Sequence, residues 1–209
     1  MPLVRKCCNM IKAVLFDFGG VLAEEGFKQG LRAIAKERGL DPEDFYEIAG
    51  ELVYQMGYVM GSSDEKAYWN AVRERTGVRG EDKEFREEIL KRFELRPDMM
   101  EVVERIRSSG LIVAILSDQT NWLDELNHRT PFHHHFDYVF NSFHLQKTKR
   151  DPSIFADICA VLGVRLEEGL FVDDNLDNIE RAGSQGLRTI HFEDVGKFKK
   201  EIEALFDIS

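Results

Sequence analysis

One segment, residues 11–22, constrains the fold of this chain more than any other. Its apolar run over residues 13–16 is typical of a buried strand, and the run ends abruptly at Asp17, with Gly19 and Gly20 close behind. A carboxylate at the end of a buried strand is costly unless it has partners, and the carboxyl ends of strands form the edge where open α/β sheets bind ligands. Asp17 is therefore interpreted as a nucleophile or a metal ligand. The alternative is an aspartate that only caps the next turn.

A second segment repeats this pattern. Residues 169–172 form a short apolar run, and Asp173 and Asp174 follow it directly before a helix start near Leu176. If both strands belong to one parallel sheet, Asp17 and the second pair of acids meet at the same edge. Carboxylates in one cleft repel each other unless a cation lies among them, and hard oxygen ligands with room for water suit Mg²⁺. The two segments together predict Mg²⁺ as a cofactor.

The order of the remaining elements predicts an α/β fold. Residues 23–95 contain four helical stretches and no convincing strand, and strands alternate with helices after them. This alternation implies a doubly wound, Rossmann-like parallel sheet with right-handed crossovers. We expect residues 1–22 and 96–209 to form this core and residues 23–95 to form an inserted helical cap that lies over the carboxyl edge as a lid. The helices predicted in the cap cover residues 27–38, 45–60, 69–76 and 81–93, and the strands predicted after it cover residues 111–116, 138–140, 169–173 and 187–192.

The same sheet edge could carry out phosphoryl transfer. Asp17 could attack phosphorus in line and form an aspartyl-phosphate, with Mg²⁺ neutralising the developing charge and the backbone carbonyl of Gly19 as a further ligand. The Ser117 hydroxyl and the amide of Asp118 could donate to phosphate oxygens, and a lysine within residues 147–150 could offset their charge. Two plainer interpretations stay open, in which Ser117 caps the next helix and residues 147–150 form a solvated basic turn.

Several other residues suggest a site but are explained more simply by packing. Consecutive side chains rarely converge on one ion, so the histidines at 133–135 are expected in a surface or partly packed loop. Glu24 and Glu25 are expected to be solvated linker residues near the mouth of the site. Four large side chains are expected to form the core of the lid rather than a substrate box, namely Tyr54, Met56, Tyr58 and Trp69.

Charge, hydropathy and cysteine content exclude several classes of protein. The chain has 209 residues and a net charge of −10, with no basic stripe, which argues against a nucleic-acid partner. Its apolar runs are only as long as strands, so no membrane span is expected. Cys7, Cys8 and Cys159 show no CxxC spacing and residues 1–9 have no apolar signal core, which favours a reducing cytosol and predicts a cytoplasmic protein. An anionic substrate then needs a local positive site.

Four motifs in this order resemble the haloacid dehalogenase-like (HAD) hydrolase superfamily. They are Phe16-Asp17-Phe18-Gly19-Gly20-Val21-Leu22, Ile115-Leu116-Ser117, Lys149-Arg150-Asp151-Pro152 and Phe171-Val172-Asp173-Asp174-Asn175. The insert between the first two motifs is similar to the type-1 helical cap of that family. Residues 116–121 and 171–179 are similar to the branch that contains soluble epoxide hydrolase N-terminal domains and bacterial sugar-1-phosphate phosphatases.

The resemblance implies a function and a role for each motif residue. It implies a Mg²⁺-dependent phosphatase that hydrolyses a small phosphorylated metabolite, with a sugar phosphate favoured, through an aspartyl-phosphate. The implied roles are Asp17 as the nucleophile, Ser117 and Lys149 as phosphate-binding residues, and Asp173 and Asp174 as residues that hold Mg²⁺. The resemblance says nothing about the oligomeric state.

Two departures from the family pattern leave other functions open. Most phosphatases of the family carry a second aspartate two residues after the nucleophile as general acid and base, a contribution of about 10²–10⁴-fold, and Gly19 occupies that position here. A positive φ would be one reason for a glycine there. Asp118 adds a negative charge where the branch often has asparagine. A catalytically weak or degenerate member that binds a ligand or a protein therefore stays an alternative, as does a haloacid dehalogenase, whose branch generally needs no metal and lacks the paired acids.

Overall fold

In the computed structural model, which describes residues 11–206, the central sheet consists of five parallel strands. These are β1 (Ala13–Phe16), β2 (Ile112–Ser117), β3 (Tyr138–Asn141), β4 (Gly169–Asp173) and β5 (Arg188–His191). Their order across the sheet is β3-β2-β1-β4-β5. The predicted doubly wound parallel sheet is therefore confirmed. The interpretations of residues 1–9, including Cys7 and Cys8, lie outside the described residues.

The register of the strands explains why acidic side chains meet at one edge. Phe16 at the end of β1 pairs with Ile115 of β2 and with Val172 of β4. Asp17, the residue directly after β1, therefore lies level with Asp173, and its N–H donates to the carbonyl of Val172 at 2.9 Å. The central position of β1 in the sheet thus puts the first acid between the ends of two neighbouring strands.

The helices lie before, between and after these strands. Four of them come between β1 and β2, namely α1 (Gly26–Glu37), α2 (Pro42–Gln55), α3 (Glu65–Thr76) and α4 (Asp82–Leu90). The others are α5 (Pro97–Ser108), α6 (Trp122–Arg129), α7 (Ser142–Leu145), α8 (Ser153–Leu162), α9 (Leu176–Gln185) and α10 (Val195–Phe206). Within residues 11–206, none of these helices is both long and apolar enough to cross a bilayer.

Alternating side chains of the strands cover both faces of the sheet. Val14 and Phe16 of β1 belong to a hydrophobic cluster that also contains buried residues of α5 and α10. Ala13 and Leu15 belong to a second cluster, formed with buried residues of α8 and α9. This period of two is what a strand buried on both faces requires, and it explains the continuous apolar run in the sequence.

The inserted segment is helical, as predicted, but the bounds of its four helices differ from the predicted ones, most of all for α2. Asp41 caps α2 by accepting from the N–H groups of Glu43 and Asp44, and Pro42 takes the first helical position. The predicted helix over residues 45–60 instead ends at Gln55, because Gly57 follows with a φ of 72°. The described sheet receives no strand from residues 23–95. That this segment is a separate domain stays a prediction.

The two chain crossings into and out of the insert lie side by side. Ala23 forms an antiparallel bridge with Leu95, and the N–H of Glu24 donates to the carbonyl of Glu94 at 2.9 Å. Ala23 also bridges back to Gly19, in the turn after the first acid. The segment that enters the insert is therefore held against the edge of the sheet.

Candidate active site

Residues that lie far apart in the sequence converge at the carboxyl edge of the sheet. Asp17 follows β1, Ser117 ends β2 and Asp173 ends β4. Lys149 comes from the loop before α8 and reaches into the same space. The motif residues predicted from the sequence are therefore brought together, although the role of each stays a proposal.

The two oxygens of the Asp17 carboxylate have different surroundings. Oδ1 accepts from the Ser117 hydroxyl at 2.7 Å, from the N–H of Phe18 at 2.7 Å and from Lys149 Nζ at 3.0 Å. None of the hydrogen bonds found among the described residues goes to Oδ2. Burial raises the pKa of Asp17, and the nearby ammonium group of Lys149 opposes this shift. One oxygen is thus held in place while the other is available for reaction.

Ser117 does not cap the helix that follows it. Its hydroxyl donates to Asp17 across the two adjacent strands, while α6 begins after Asn121. The capping interpretation is therefore wrong, because the side chain at the end of β2 points toward β1 rather than along the chain.

The interpretation of residues 147–150 as a solvated turn is wrong for Lys149. Only 2% of this residue is exposed, and its Nζ lies 2.6 Å from Asp173 Oδ2 as well as 3.0 Å from Asp17. Burial opposes the charged form, but the carboxylates of Asp17, Asp173 and Asp118 raise the pKa of Lys149 and keep the ammonium charged. Lys147 and Arg150 pair instead with exposed acids. The ion pairs with two carboxylates offset the free-energy cost of burying this ammonium group.

Asp118 supports the loop that carries Lys149. Its carboxylate oxygens accept from the N–H of Lys149 at 2.9 and 3.2 Å, and one of them lies 3.4 Å from the hydroxyl of Tyr54. Burial raises the pKa of Asp118. A carboxylate repels phosphate, so the predicted phosphate-binding role of Asp118 stays a prediction for its main-chain N–H.

The acids after β4 differ in how fully they are engaged. Asp173 is completely buried and accepts from the N–H of Asn175 at 2.7 Å, from Lys149 and from the side-chain amide of Asn178. Asp174 as a whole is exposed to solvent, but partial desolvation of its carboxyl group inside the cavity, together with the charge of Asp17, raises its pKa. Of these two acids, Asp174 therefore has the carboxylate with more freedom to bind a cation.

These acids form a donor set that fits a divalent cation. Asp17, Asp173 and Asp174 each offer one oxygen, and the three oxygens lie within 4.8 Å of one another. Hard carboxylate oxygens at the open edge of a sheet suit Mg²⁺, which prefers a few protein oxygens and keeps several waters. The predicted carbonyl ligand, Gly19, lines the same cavity.

The glycine that needs its special backbone conformation is Gly20 rather than Gly19. Gly20 has a φ of 84°, and a Cβ there would lie 2.3 Å from Asp174 Oδ2. Gly19 does not have a positive φ, and a Cβ on it would meet the ring of Phe93 at 3.2 Å. A positive φ therefore does not explain the missing acid at position 19. Gly20 lets the acids after β4 approach the turn after β1.

Glu25 is a residue of the site that the sequence interpretation missed. It is partly buried rather than solvated, and its Oε2 accepts from the N–H of Lys28 at 2.8 Å as the cap of α1. Burial raises its pKa to about 7, and Asp174 and Asp17 add to the shift. Glutamate is not among the residues preferred at the N-cap, so the sequence did not indicate this capping role. Glu25 approaches Gly19 because Ala23 bridges back to the turn after β1, and no local sequence pattern indicates this contact.

The aromatic residues of the insert divide into two groups. Tyr58 and Trp69 are buried, at 1% and 0% exposure, and pack near Trp122 of α6, which confirms them as core residues. Tyr54 instead lines the cavity over the sheet edge, with the Arg150 guanidinium 3.5 Å from its ring centre. Tyr54 nevertheless packs against the hydrophobic cluster, as expected of a core residue of the lid, and also lines the cavity.

A cavity of about 560 Å³ connects these groups with the insert. Its floor is the sheet edge with Asp17, and most of the side chains around it are polar. Those contributed by the insert and by the rim of the sheet include Lys28, Tyr46, Glu51, Tyr54, Arg150 and Arg181. The histidines at 133–135 do not line it, and His135 pairs with Glu104. They form a short 3-10 turn that is partly packed, as predicted, although the prediction was a loop.

Comparisons with known proteins agree on the fold and the family. Residues 11–186 match the family described as haloacid dehalogenase-like hydrolase. A solved structure of a HAD family enzyme from Bacteroides thetaiotaomicron, in complex with magnesium and inorganic phosphate, superimposes with a TM-score of 0.71 and 19% identity. The match covers 90% of this chain and 98% of that one. At this identity the likeness establishes the fold alone.

The relatives of this chain are named for more than one reaction. Glyceraldehyde 3-phosphate phosphatase of Methanopyrus kandleri is 28% identical over 199 residues, which are 87% of this chain and 83% of that protein. (S)-2-haloacid dehalogenase 4A of Burkholderia cepacia is 36% identical over 98 residues, which are 45% of this chain and 41% of that protein. The longer match is to a phosphatase, and the higher identity is to part of a dehalogenase.

Proposed function

Because this chain belongs to the haloacid dehalogenase-like hydrolase family, we propose that it is a Mg²⁺-dependent phosphatase of small phosphomonoesters, with sugar phosphates favoured. One observation carries the proposal. Asp17 presents one uncommitted carboxylate oxygen beside two further acids, at the floor of a cavity that also holds a buried lysine. This combination suits the transfer of a dianionic phosphoryl group to a carboxylate.

The motif residues have definite tasks in the proposed reaction. Oδ2 of Asp17 attacks phosphorus, and a phosphorus–oxygen bond forms as the bond to the leaving oxygen breaks. Ser117 and Lys149 hold Oδ1 of the nucleophile and can donate to the phosphoryl oxygens. Water then attacks the aspartyl-phosphate at phosphorus, which releases inorganic phosphate and restores Asp17.

The metal would be held by Asp17, Asp173, Asp174 and the carbonyl of Gly19. When bound, the ion supplies positive charge that offsets the charge developing on the phosphoryl oxygens. Asp174 is the less engaged of the acids after β4, so we assign it the direct contact. Asp173 fixes Lys149 and the start of α9 through its hydrogen bonds, and it supplies one of the three carboxylate oxygens of the cluster.

The cavity supports a small hydroxylated substrate. Its polar rim suits a hydroxylated metabolite better than an apolar ligand, and its volume of about 560 Å³ leaves ample room for one. The relative from Methanopyrus kandleri is named for a triose phosphate, which fits the same class. We therefore place sugar phosphates first among the substrates.

Dehalogenation is the second candidate, because a haloacid dehalogenase is among the relatives. The same nucleophile would then attack carbon and release halide. The second acid after β4, Asp174, argues against it, since of these two acids Asp173 alone pairs with Lys149, and a further carboxylate beside it has no evident role in a reaction that needs no cation. The pair of acids also argues against a purely ligand-binding or protein-binding role, because the whole set of motif residues lies in a geometry suited to hydrolysis.

A substrate panel tests the proposal. The purified protein is stripped with EDTA and assayed on sugar, nucleotide and acyl phosphates and on a 2-haloacid, with and without added Mg²⁺. We expect phosphate release that depends on Mg²⁺ and is fastest on sugar phosphates. Halide release by the metal-free protein, with no phosphate released from any ester, would establish the dehalogenase instead.

A further inference from the structure

We propose that Glu25 is the general acid and base of this site and acts from the space beside Gly19. The proposal rests on the phosphatase function proposed above and names a catalytic residue for it. Glu25 follows the turn after β1 and immediately precedes α1, so it belongs to the segment that enters the insert.

The position of its carboxyl group is the first argument. A Cβ built on Gly19 would lie 3.7 Å from Glu25 Oε1 and 3.7 Å from the side-chain nitrogen of Gln119. If position 19 carried an acidic side chain, its Cβ would be in van der Waals contact with Oε1 of Glu25. The carboxyl group of Glu25 is therefore next to the place that an acidic side chain at position 19 would occupy. Glu25 also lines the cavity together with Asp17 and Gly19.

The chain holds Glu25 in this place from both sides. Ala23 bridges to Gly19 and to Leu95, so the residues before Glu25 are tied to the sheet edge. On the other side, Gly26 packs so closely on Phe93 that a Cβ there would lie 2.5 Å from the ring. A close approach of this kind fixes the start of α1 and gives the glutamate a defined direction.

The two oxygens of Glu25 are not equivalent. Oε2 accepts from the N–H of Lys28 at 2.8 Å as the helix cap. Within residues 11–206, no hydrogen bond was found to Oε1, which is the oxygen directed at Gly19. The capping bond therefore orients the carboxyl group and leaves Oε1 as the oxygen that can carry a proton.

The chemical step balances with this residue. As Asp17 Oδ2 bonds to phosphorus, the bond to the leaving oxygen breaks, and the proton on Glu25 Oε1 moves to that oxygen to give the free alcohol. The resulting carboxylate then takes a proton from the water that attacks the aspartyl-phosphate. Inorganic phosphate leaves, and Glu25 ends the cycle protonated as it began.

The variant Glu25→Gln tests this role. Glutamine has the same length and an oxygen that can still cap α1, but it cannot donate a carboxyl proton. Its matched control is Glu24→Gln, the neighbouring glutamate, which pairs with Arg96 at 3.1 Å and does not line the cavity. Both variants and the wild type are assayed with Mg²⁺ on p-nitrophenyl phosphate, whose leaving group needs no proton, and on a sugar phosphate with an alkoxide leaving group.

We expect kcat/KM of Glu25→Gln to fall by about 10²–10⁴-fold on the sugar phosphate and by less than about tenfold on the aryl ester. This constant reports only the steps up to departure of the leaving group, so it isolates the acid role. The base role predicts a burst of p-nitrophenol in the first turnover, because the aspartyl-phosphate of the variant then hydrolyses slowly. Glu24→Gln should show neither effect.

Three outcomes would overturn the proposal, and they are distinguishable. An equal loss on both substrates without a burst assigns Glu25 a purely structural role, and no loss on either removes it from the reaction. In both cases the phosphatase function stands. Failure of the wild type to release phosphate from either ester overturns the proposed function itself, and the role of Glu25 with it.

Discussion

Asp17 illustrates how a single side chain can be both fixed and reactive. Three donors hold its Oδ1, while no hydrogen bond within residues 11–206 is made to its Oδ2. The donors come from β2, from the next residue and from the Lys149 loop, so the position of the carboxylate depends on the fold as a whole. This arrangement is the residue-scale basis of the proposed mechanism.

Replacement of Asp17 by asparagine should abolish turnover and preserve the fold. Asparagine retains an Oδ1 that accepts from Ser117 and Phe18, and Asp173 still pairs with Lys149. We expect kcat to fall by at least about 10³-fold, while the melting temperature stays within a few degrees of wild type. Asp98→Asn, on the exposed surface of α5, is the control. Activity within tenfold of wild type would rule out Asp17 as the nucleophile.

Gly20 and Gly19 offer a matched pair of substitutions. Gly20→Ala combines a φ of 84° with a Cβ only 2.3 Å from Asp174, so we expect a loss of about 1–3 kcal/mol in the free energy of unfolding. It should also weaken activation by Mg²⁺, because the Asp174 carboxylate must move. Gly19→Ala meets only the edge of the Phe93 ring at 3.2 Å and should cost less.

Urea unfolding of both variants, with Mg²⁺ titrations of activity, measures the difference. Equal losses of stability would contradict the packing described here, in which only position 20 combines a positive φ with a very close approach to Asp174.

At the scale of elements, the strands and their acidic ends could be predicted because each depends on a local pattern. The apolar runs of β1 and β4 end at Asp17 and Asp173, and the parallel register of the two strands brings these two acids level with each other. The places of Glu25 and Tyr54 could not be predicted, because they depend on how the insert folds back over the sheet. The end of α2 was missed because Gly57 interrupts an otherwise helical pattern.

The opposite edge of the sheet is stabilised by a buried acid. Glu168, just before β4, accepts from the N–H and guanidinium of Arg165 and pairs with Lys12, which precedes β1, at 2.9 Å. These bonds lower the pKa of Glu168 to about 2, with the hydrogen bonds from Arg165 as the largest cause. Because the folded pKa lies below the unfolded one, the stabilisation is present above the unfolded value of 4.5 and is lost as the pH falls toward 2.

Glu168→Gln should therefore destabilise the protein at neutral pH and progressively less in acid. We expect the difference in the free energy of unfolding from wild type to be constant above about pH 5.5 and to shrink below pH 4.5. Urea unfolding at several pH values measures it. Glu167→Gln, in an exposed pair with Arg165, is the control and should change stability little at any pH. A difference that grew toward low pH would contradict the account.

At the scale of the whole molecule, the insert and the sheet share one continuous hydrophobic cluster. Tyr58 donates to Asn121 at 2.7 Å, and the Ser142 hydroxyl donates to the carbonyl of Val59 at 2.7 Å, so the insert is also tied to the core by buried polar contacts. The ion pair of Glu51 with Arg150 crosses the rim of the cavity and is exposed. Any movement of residues 23–95 as a lid, the role predicted from the sequence, has to occur within these constraints.

The measurement that tests the central claim most directly is the capture of the phosphorylated enzyme. The protein is mixed with a sugar phosphate and Mg²⁺, quenched in acid during turnover, digested and analysed by mass spectrometry. The account predicts one phosphoryl group on the peptide that contains Asp17, absent when EDTA replaces Mg²⁺ and absent in Asp17→Asn. Release of phosphate at the full rate with no phosphoryl group on that peptide, or without any divalent metal, would contradict it.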